Sequence, residues 1–599
     1  MKHPTRRTFH RLAAAPLLAL PAAQLGGGVA VAAPAEARRS EAVRAIRRAV
    51  AFMDGTVSYR GGYVWNYLPD LSATWGEMRA RRTMCWVQPP GTPSVGHSLL
   101  DAYHATGDEA CYRAAERTGL ALVAAQLPCG GWNYVHDFAG EESLKEWYET
   151  VGANGWRLEE FQHYYGNATF DDAGTSAAAQ LLLRLYVERG DRRIGRALER
   201  AIGFVLDAQF EGGVADGGWP QRFPAYHGSV SRTPWPQERP GWLPGDVTHG
   251  MEDGEYTQHV TFNDDVIGEN IKFLLMCVSA LGRRELRAPV RRAMECLRRM
   301  QQAKPQAGWG LQHLARDRRG RPAGSPAGAR SYEPRALATH TTQTNVQQLF
   351  HYFRLTGDRT YLERVPEALD WLDSCELTER QISENPLLAG RTHPTFVELG
   401  SNRPRFVHRF GSNVRNGAYY HDHDHRETLS HYSAGRTVDV PRLRAEYEEL
   451  AALSPGEAAE LAARSPLAEG GAPIPLPRFF SVRDLQLSDL LRDARLPLPA
   501  VSDAEADRLV AGLGDRDHWL TRLETTTNPY EGPGSREPYD GKAYMSKHVG
   551  DVRDTSPYNP QDPPAEPPYE PREGQLGIST AVFVANLAKL TAYVEQSAG

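Results

Sequence analysis

Four stretches of the chain repeat one pattern, and that repeat limits the fold more than any other feature. "ATGDEACYRAAERTGLALVAAQ" runs from Gly107 to Gln126 after its first two residues, "ERGDRRIGRALERAIGFVLDAQ" from Gly190 to Gln209, and "ALGRRELRAPVRRAMECLRRMQ" from Gly282 to Gln301. The glycine-to-glutamine distance is 19 residues in all three. A fourth copy runs from Gly357 to Glu376, with the glutamine replaced. Each glycine closes an apolar stretch of helical period, such as "TSAAAQLLLRLYVE" or "NVQQLFHYFRL", and suits a left-handed C-cap. The residues after it carry Ala, Leu and Val at helical spacing again. The unit is therefore helix, tight turn, helix, loop.

Three of the loops contain Gly-Trp, ending at Trp132, Trp219 and Trp309. A unit of roughly 75–90 residues is longer than the common solenoid repeats. It suits helical hairpins set around an axis with long loops at one rim. The reading is an all-α (α/α) toroid, or incomplete α/α barrel, whose rim loops form a cleft. An open helical array is the alternative. The toroid is expected over residues 40–429. Residues 430–572 read as a Pro/Gly-rich insertion packed on it, and 573–599 as a C-terminal core helix closing it. A second insertion, Ala225 to Glu255, carries Trp235 and Trp242.

Residues 1–35 read as an address. Arg6 and Arg7 precede an apolar run from Leu12 to Leu25 and then small residues, the pattern of a twin-arginine export signal. The run is short for a membrane anchor and holds Pro16 and Pro21. The expectation is a secreted, folded monomer with no membrane attachment after signal removal. Cys85, Cys111, Cys129, Cys277, Cys296 and Cys375 form no CxxC pair, which argues against a zinc ribbon. One or two disulfides would suit an oxidising compartment. A net charge of −6 gives no reason to expect a nucleic-acid partner.

Candidate chemistry sits in the loops. "TFDD" places Asp171 and Asp172 before a helix, and "TFNDD" places Asn263, Asp264 and Asp265 before another. Helix capping explains one Asp at each site. Two doubled acidic pairs in neighbouring repeats exceed that need, and together they could hold a hard cation such as calcium. "ARSYEP" supplies Arg330, Tyr332 and Glu333, and "ELGSNRPRFVHRF" supplies Glu398, Asn402, Arg403 and Arg409. Clustered guanidinium groups suit carboxylate recognition. "HDHDH" from His421 to His425 admits a metal reading, although such alternating residues are more often solvated. "DGGWPQRFP", Asp216 to Pro224, is poor helix or strand material. It reads either as a sugar-stacking wall or as a packing corner beneath one.

In this order, "GGWPQRFP", "YTQHVTFNDD", "ARSYEP" and "ELGSNRPRF" resemble the pectic acid lyases of polysaccharide lyase family ten. The resemblance runs from about residue 45 to residue 420. It implies a toroid-like fold and calcium-assisted β-elimination of polygalacturonate, an acidic polysaccharide, giving 4,5-unsaturated uronides. By motif it implies that Asp171 and Asp264 bind cation and substrate, that Arg330 is the base, and that Arg403 binds substrate. Asp172 and Asp265 complete the expected metal set. Trp219, Gln221, Asn263, Tyr332 and Asn402 are expected on the substrate side. An arginine base calls for a field that favours neutral guanidine, or for an alkaline optimum. The sequence departs from the family at "RALATHTTQTN", at "GAYYHDHDH" and in both insertions. Two other readings stay open. One is a toroid-type glycoside hydrolase using two of the four aspartates on a uronoside. The other is a carbohydrate-binding protein with a degenerate site.

Overall fold

The structure, a computed structural model, describes residues 35–149, 167–224, 248–249, 252–253, 256–410, 418–426, 428, 432–470, 473–494, 496–523 and 574–597. The export segment, Trp235 and Trp242, and most of the second half of the long insertion lie outside them.

The core is helical, with short strands confined to the loops. Four hairpins carry the repeat: α2 (Thr92–Thr106) with α3 (Glu109–Ala125), α4 (Gly174–Arg189) with α5 (Arg192–Asp207), α6 (Val266–Leu281) with α7 (Arg287–Arg299), and α8 (Thr339–Thr356) with α9 (Val365–Asp373). Before them comes α1 (Ala35–Phe52). After them come α10 (Val440–Ala452), α11 (Pro455–Ala463), α12 (Asp503–Leu513) and α13 (Thr580–Gln596). The first helices of the hairpins form an inner layer, with α13 packed on α2, α2 on α4, and α4 on α6. The second helices back them from outside, and α1 and α12 back α13. This is the arrangement expected of an incomplete α/α toroid, and the tail helix is part of it.

The repeat has a physical basis at each conserved step of the pattern. The four turn glycines all adopt a left-handed φ of 67–68°, which costs any other residue energy. Asp108, Asp191 and Asp358 follow three of them and cap the next helix through their carboxylates. The glutamines are staples. Each Nε2 donates to a carbonyl of its own loop and to one of the following unit: Gly130 and Ala197 for Gln126, Gly217 and Pro289 for Gln209, Ala307 and Arg364 for Gln301. Glu376 has no amide to donate, and it lies exposed.

The Gly-Trp loops are pegs. Trp132, Trp219 and Trp309 are fully buried. Their indole N–H groups donate to Leu122, Val205 and Leu297 in the outer helices. Their carbonyls accept from Thr169, Thr261 and Ala338, just before the inner helices. The expectation that Trp219 lines a sugar wall is therefore corrected: it belongs to the packing corner, because both its faces are inside the core. All six cysteines are free thiols, five of them buried, so no disulfide forms. Among the described residues no helix is long and apolar enough to cross a membrane.

The long insertion does more than pack on the outside. α10 and α11 pack on α8, and α12 packs on α1 and α13. The stretch 473–494 crosses the inner helices themselves. Ile474 N–H donates to Ser279 of α6, and Lys272 of the same helix donates to the Leu485 carbonyl at 3.1 Å. Phe480 stacks on His97 of α2 with ring centroids 5.3 Å apart, under the guanidinium of Arg184 from α4. Asp101 accepts from the backbone N–H groups of Phe480 and Ser481 and pairs with Arg184 at 2.7 Å. Asp101, Arg184 and Ser279 all lie in the C-terminal halves of their helices. The segment plugs that end of the inner layer and leaves the N-terminal rim to the loops.

Candidate active site

The site is built where inner helices begin. The short strands Ala168–Thr169 and His259–Thr261 lead into two matching 3-10 turns, Asp171–Ala173 before α4 and Asn263–Asp265 before α6. Both turns use consecutive left-handed residues. Asp172 and Ala173 have φ of 53° and 49°, and Asp264 and Asp265 have 50° and 56°. Asp171 thus corresponds to Asn263, and Asp172 to Asp264. Paired non-glycine residues in this region are uncommon and concentrate where function holds them. The two turns touch each other. Helix N-termini beneath them favour negative charge.

Asp171, Asp172 and Asp264 bring carboxylate oxygens within 4.8 Å of one another. Asp171 is buried, and the other two are partly exposed. Asp171 accepts from the Tyr134 hydroxyl and, at 3.3 Å, from Nη1 of Arg330; Asp172 accepts from Gln88. Arg330 is 1% exposed and lies in the loop before α8. Its Nε and Nη2 grip the two oxygens of buried Glu333 at 3.0 and 2.7 Å. Tyr432, from the start of the insertion, closes the network. Its hydroxyl donates to Glu333 at 2.7 Å and accepts from Arg330 Nη2 and Asn263 Nδ2, each at 3.1 Å. Burial, then the Glu333 charge, holds the Tyr432 hydroxyl protonated far above the usual tyrosine range. Asp171, Asp264 and Arg330 therefore share one site. Glu333 occupies two guanidinium nitrogens, so Nη1 is the one directed at the acidic trio.

The other expected residues divide. Asn263 is in the network. Gln221 is buried, its Oε1 accepting from Gln312 and its carbonyl from Phe170 N–H, so it braces the first acidic turn. Tyr332 is 1% exposed, lying under Arg330 and edge-on to Tyr432. Gln221 and Tyr332 thus support the site from beneath, a correction to the expected direct contact with a sugar. Asp265 turns to α8, where Gln348 donates to it at 2.7 Å, and stays outside the converging trio. Asn402 is a left-handed turn residue whose Oδ1 accepts from the Trp371 indole, a packing role rather than the expected sugar contact. Arg403 is exposed on the same turn. The histidines of "HDHDH" diverge: His421 faces Glu252 and Arg405, His423 faces Pro404 and Glu398, and His425 pairs with Glu384. They do not converge on a metal.

A family model described as Pectic acid lyase matches residues 145–426. The match contains both acidic turns, Arg330 and Glu333. Residues 145–426 are thus similar to the pectic acid lyase family. The match begins later than the resemblance in the sequence suggested, and ends before Tyr432. No curated protein matches the chain. Among solved structures it is similar to a family 10 polysaccharide lyase from Cellvibrio cellulosa, with 16% identity, 60% of this chain and 98% of that chain covered, and a TM-score of 0.36. A mutant of that lyase, solved in complex with trigalacturonic acid, gives 16%, the same coverage and 0.35. A family 76 α-mannanase from Bacteroides thetaiotaomicron gives 10% identity, 58% and 72% coverage and 0.32.

Proposed function

We propose that the lyase domain cleaves polygalacturonate by calcium-assisted β-elimination, yielding 4,5-unsaturated uronides. The observation that carries this reading is the trio Asp171, Asp172 and Asp264, gathered within 4.8 Å beside Arg330. Three carboxylates that close repel each other, and the guanidinium touching them is already paired with Glu333. The all-oxygen donor set fits calcium. When bound there, calcium would withdraw charge from the substrate carboxylate and make the neighbouring C5 proton more acidic.

The chain's own residues do the rest. Glu333 and Tyr432 fix the plane of Arg330, and Tyr332 supports it from below. In the neutral form of Arg330, Nη1 takes the C5 proton, and the side chain becomes the guanidinium cation. The released electron pair forms the C4–C5 double bond, and the C4–O bond breaks with its electrons leaving on oxygen. The bidentate Glu333 contact favours the guanidinium cation, so proton abstraction has to improve at alkaline pH. The close acidic trio disfavours hydrolysis by inversion, which needs carboxyl groups about 6.5–9.5 Å apart.

The test is an activity scan over polygalacturonate, pectin, alginate and rhamnogalacturonan, with calcium or with EDTA. Ultraviolet absorbance from a conjugated uronide, greatest on polygalacturonate and abolished by EDTA, is the expected result. New reducing ends without that chromophore would establish a hydrolase instead. We further propose that the protein is exported, a reading supported by Arg6 and Arg7 ahead of the apolar run, and that it works as a monomer. Secretion lost on changing both arginines to lysine, and a single-chain mass in solution, are the expected outcomes.

A further inference from the structure

Among the described residues, Arg436 is a buried cation with no anionic partner. It sits in the short strand Gly435–Arg436, paired with His393–Pro394, and is 5% exposed. Among the described residues no carboxylate pairs with it and no acceptor meets its Nε. Its guanidinium lies 5.6 Å from the ring centroid of Tyr432, the residue whose hydroxyl bonds Arg330, Glu333 and Asn263. It therefore packs on the ring whose hydroxyl bonds the proposed base.

A second cation makes the position harder to explain as packing. Arg391 is half-buried, also without an ion pair, and a Cβ added at Gly435 would come within 3.0 Å of the Arg391 Cβ. Like charges placed side by side in a poorly solvated setting repel each other. Burial draws the Arg436 guanidinium down to about 10, Arg391 pushes the same way, and only Tyr432 and Asp264 oppose them. Among the described residues, two other buried arginines have carboxylate partners, Asp101 for Arg184 and Glu333 for Arg330, while Arg222 meets the Asn133 amide and the Tyr134 ring. Leaving a buried charge unpaired is costly unless a ligand supplies the counter-charge. Arg436 lies beyond residue 426, where the family match stops.

We propose that Arg436 binds the free carboxylate of a uronate unit next to the one held at the acidic trio, making the enzyme select for unesterified stretches of its substrate. This rests on the polygalacturonate reading above. A methyl ester removes the negative charge and would leave Arg436 buried and unpaired, so discrimination arises from the penalty as well as the contact.

The test compares the full-length protein with Arg436→Gln and Arg436→Lys. Initial rates are measured on polygalacturonate and on highly methyl-esterified pectin at fixed calcium. The Gln variant should raise KM on polygalacturonate about 10- to 100-fold, the scale of a charged hydrogen bond, with kcat changed only a few-fold. On esterified pectin it should change little, so the preference between the two substrates narrows. The Lys variant should recover part of the loss. Thermal stability should hold or rise, because no partner is stranded. Unchanged KM and preference in an active protein would overturn the inference. So would a fall in Tm that accounts for the lost activity. If the wild-type protein makes no unsaturated product from any uronate, the parent reading fails by itself. Calorimetric binding of a galacturonate trimer then decides Arg436 separately: weaker binding in Arg436→Gln supports its role, and equal or absent binding in both proteins overturns it.

Discussion

The two ends of the inner helical layer both bury arginines, and they satisfy them in different ways. At the C-terminal end, Arg184 meets Asp101 at 2.7 Å and donates to the Arg478 carbonyl at 2.7 Å, while Phe480 covers it. Asp101 in turn accepts from two backbone N–H groups of the plug. Both charges of the Asp101–Arg184 pair are answered within the protein. At the N-terminal rim, Arg330 is held by Glu333, but three carboxylates converge with one guanidinium against Asp171, and among the described residues no carboxylate pairs with Arg436. The first network fixes a segment in place. The second, in the function proposed above, is completed by a cation and an acidic ligand. Equal burial of equal residue types thus marks structure at one end and a site at the other.

The largest test of that contrast removes the central guanidinium at the rim. Arg330→Ala should lower kcat on polygalacturonate by about 10³-fold or more, the upper range for loss of a proton-transfer group, while trimer binding persists. Lysine should not restore it, because a point charge cannot grip Glu333 at both oxygens. Near-normal turnover would remove Arg330 from the base role. At the plug the same kind of change should act the other way. Arg184→Met leaves the Asp101 carboxylate buried and partly uncompensated, which costs about 3–5 kcal/mol. The expected reading is a lower denaturation midpoint with unchanged kcat and KM at low temperature. A kinetic defect there would mean that the plug communicates with the rim.

Acid sharpens the comparison further. His259 and His313 lie in paired strands that carry the second acidic turn, with His313 opposite Val260. Burial pulls each down to about 4. As pH falls below about 6.5, the unfolded chain takes up protons that the folded chain refuses. Stability should therefore be fully present above pH 6.5 and be lost progressively toward pH 4, by about 3 kcal/mol for each histidine. Urea unfolding across that range checks it, and a flat profile would show that water reaches these rings. His97 in the plug is also held neutral, by burial and by Arg184, so both ends should weaken in acid.

Much of this was legible in the sequence for a local reason. The turn glycines, the aspartates after them and the paired acids act on backbone within a few residues, so their spacing survives in the string of letters. Asp171 and Asp264 could be assigned to one rim because each precedes an inner helix of a repeated unit. What could not be read depends on distant chain. Tyr432 and Tyr134 reach the site from segments far from Arg330, and a tyrosine outside any motif looks like every other tyrosine. The plug has no period, since Phe480 and Ile474 are pinned by individual contacts to separate helices rather than by a face. Trp219 misled because a Gly/Pro-rich loop gives no sign of whether its ring points in or out. Only the structure shows its N–H spent on Val205. Arg436 is the extreme case, because what marks it is the lack of a partner.

The smallest effect belongs to the staples, which supply a baseline for polar groups that only hold the scaffold. Gln126 donates to Gly130 at 2.7 Å and to Ala197 at 2.9 Å, tying the first hairpin's loop to the second hairpin's outer helix. Gln126→Met keeps length and removes both bonds together with the one Oε1 accepts from Arg200, leaving two carbonyls to find water at a half-buried seam. The cost should be about 1–2 kcal/mol, read as a small drop in denaturation midpoint with all kinetic constants unchanged. Gln126→Glu sets the repulsion between a carboxylate and two carbonyl oxygens against a charged contact with Arg200, so its cost should stay close to that of the Met variant at low salt and rise as salt screens the pair. The fourth unit already carries this substitution as Glu376, and there the side chain points to solvent. If Gln126→Glu proved harmless, the seam would be wetter than its hydrogen bonds imply. The repeat's glutamine would then owe its place to something other than stitching hairpins together.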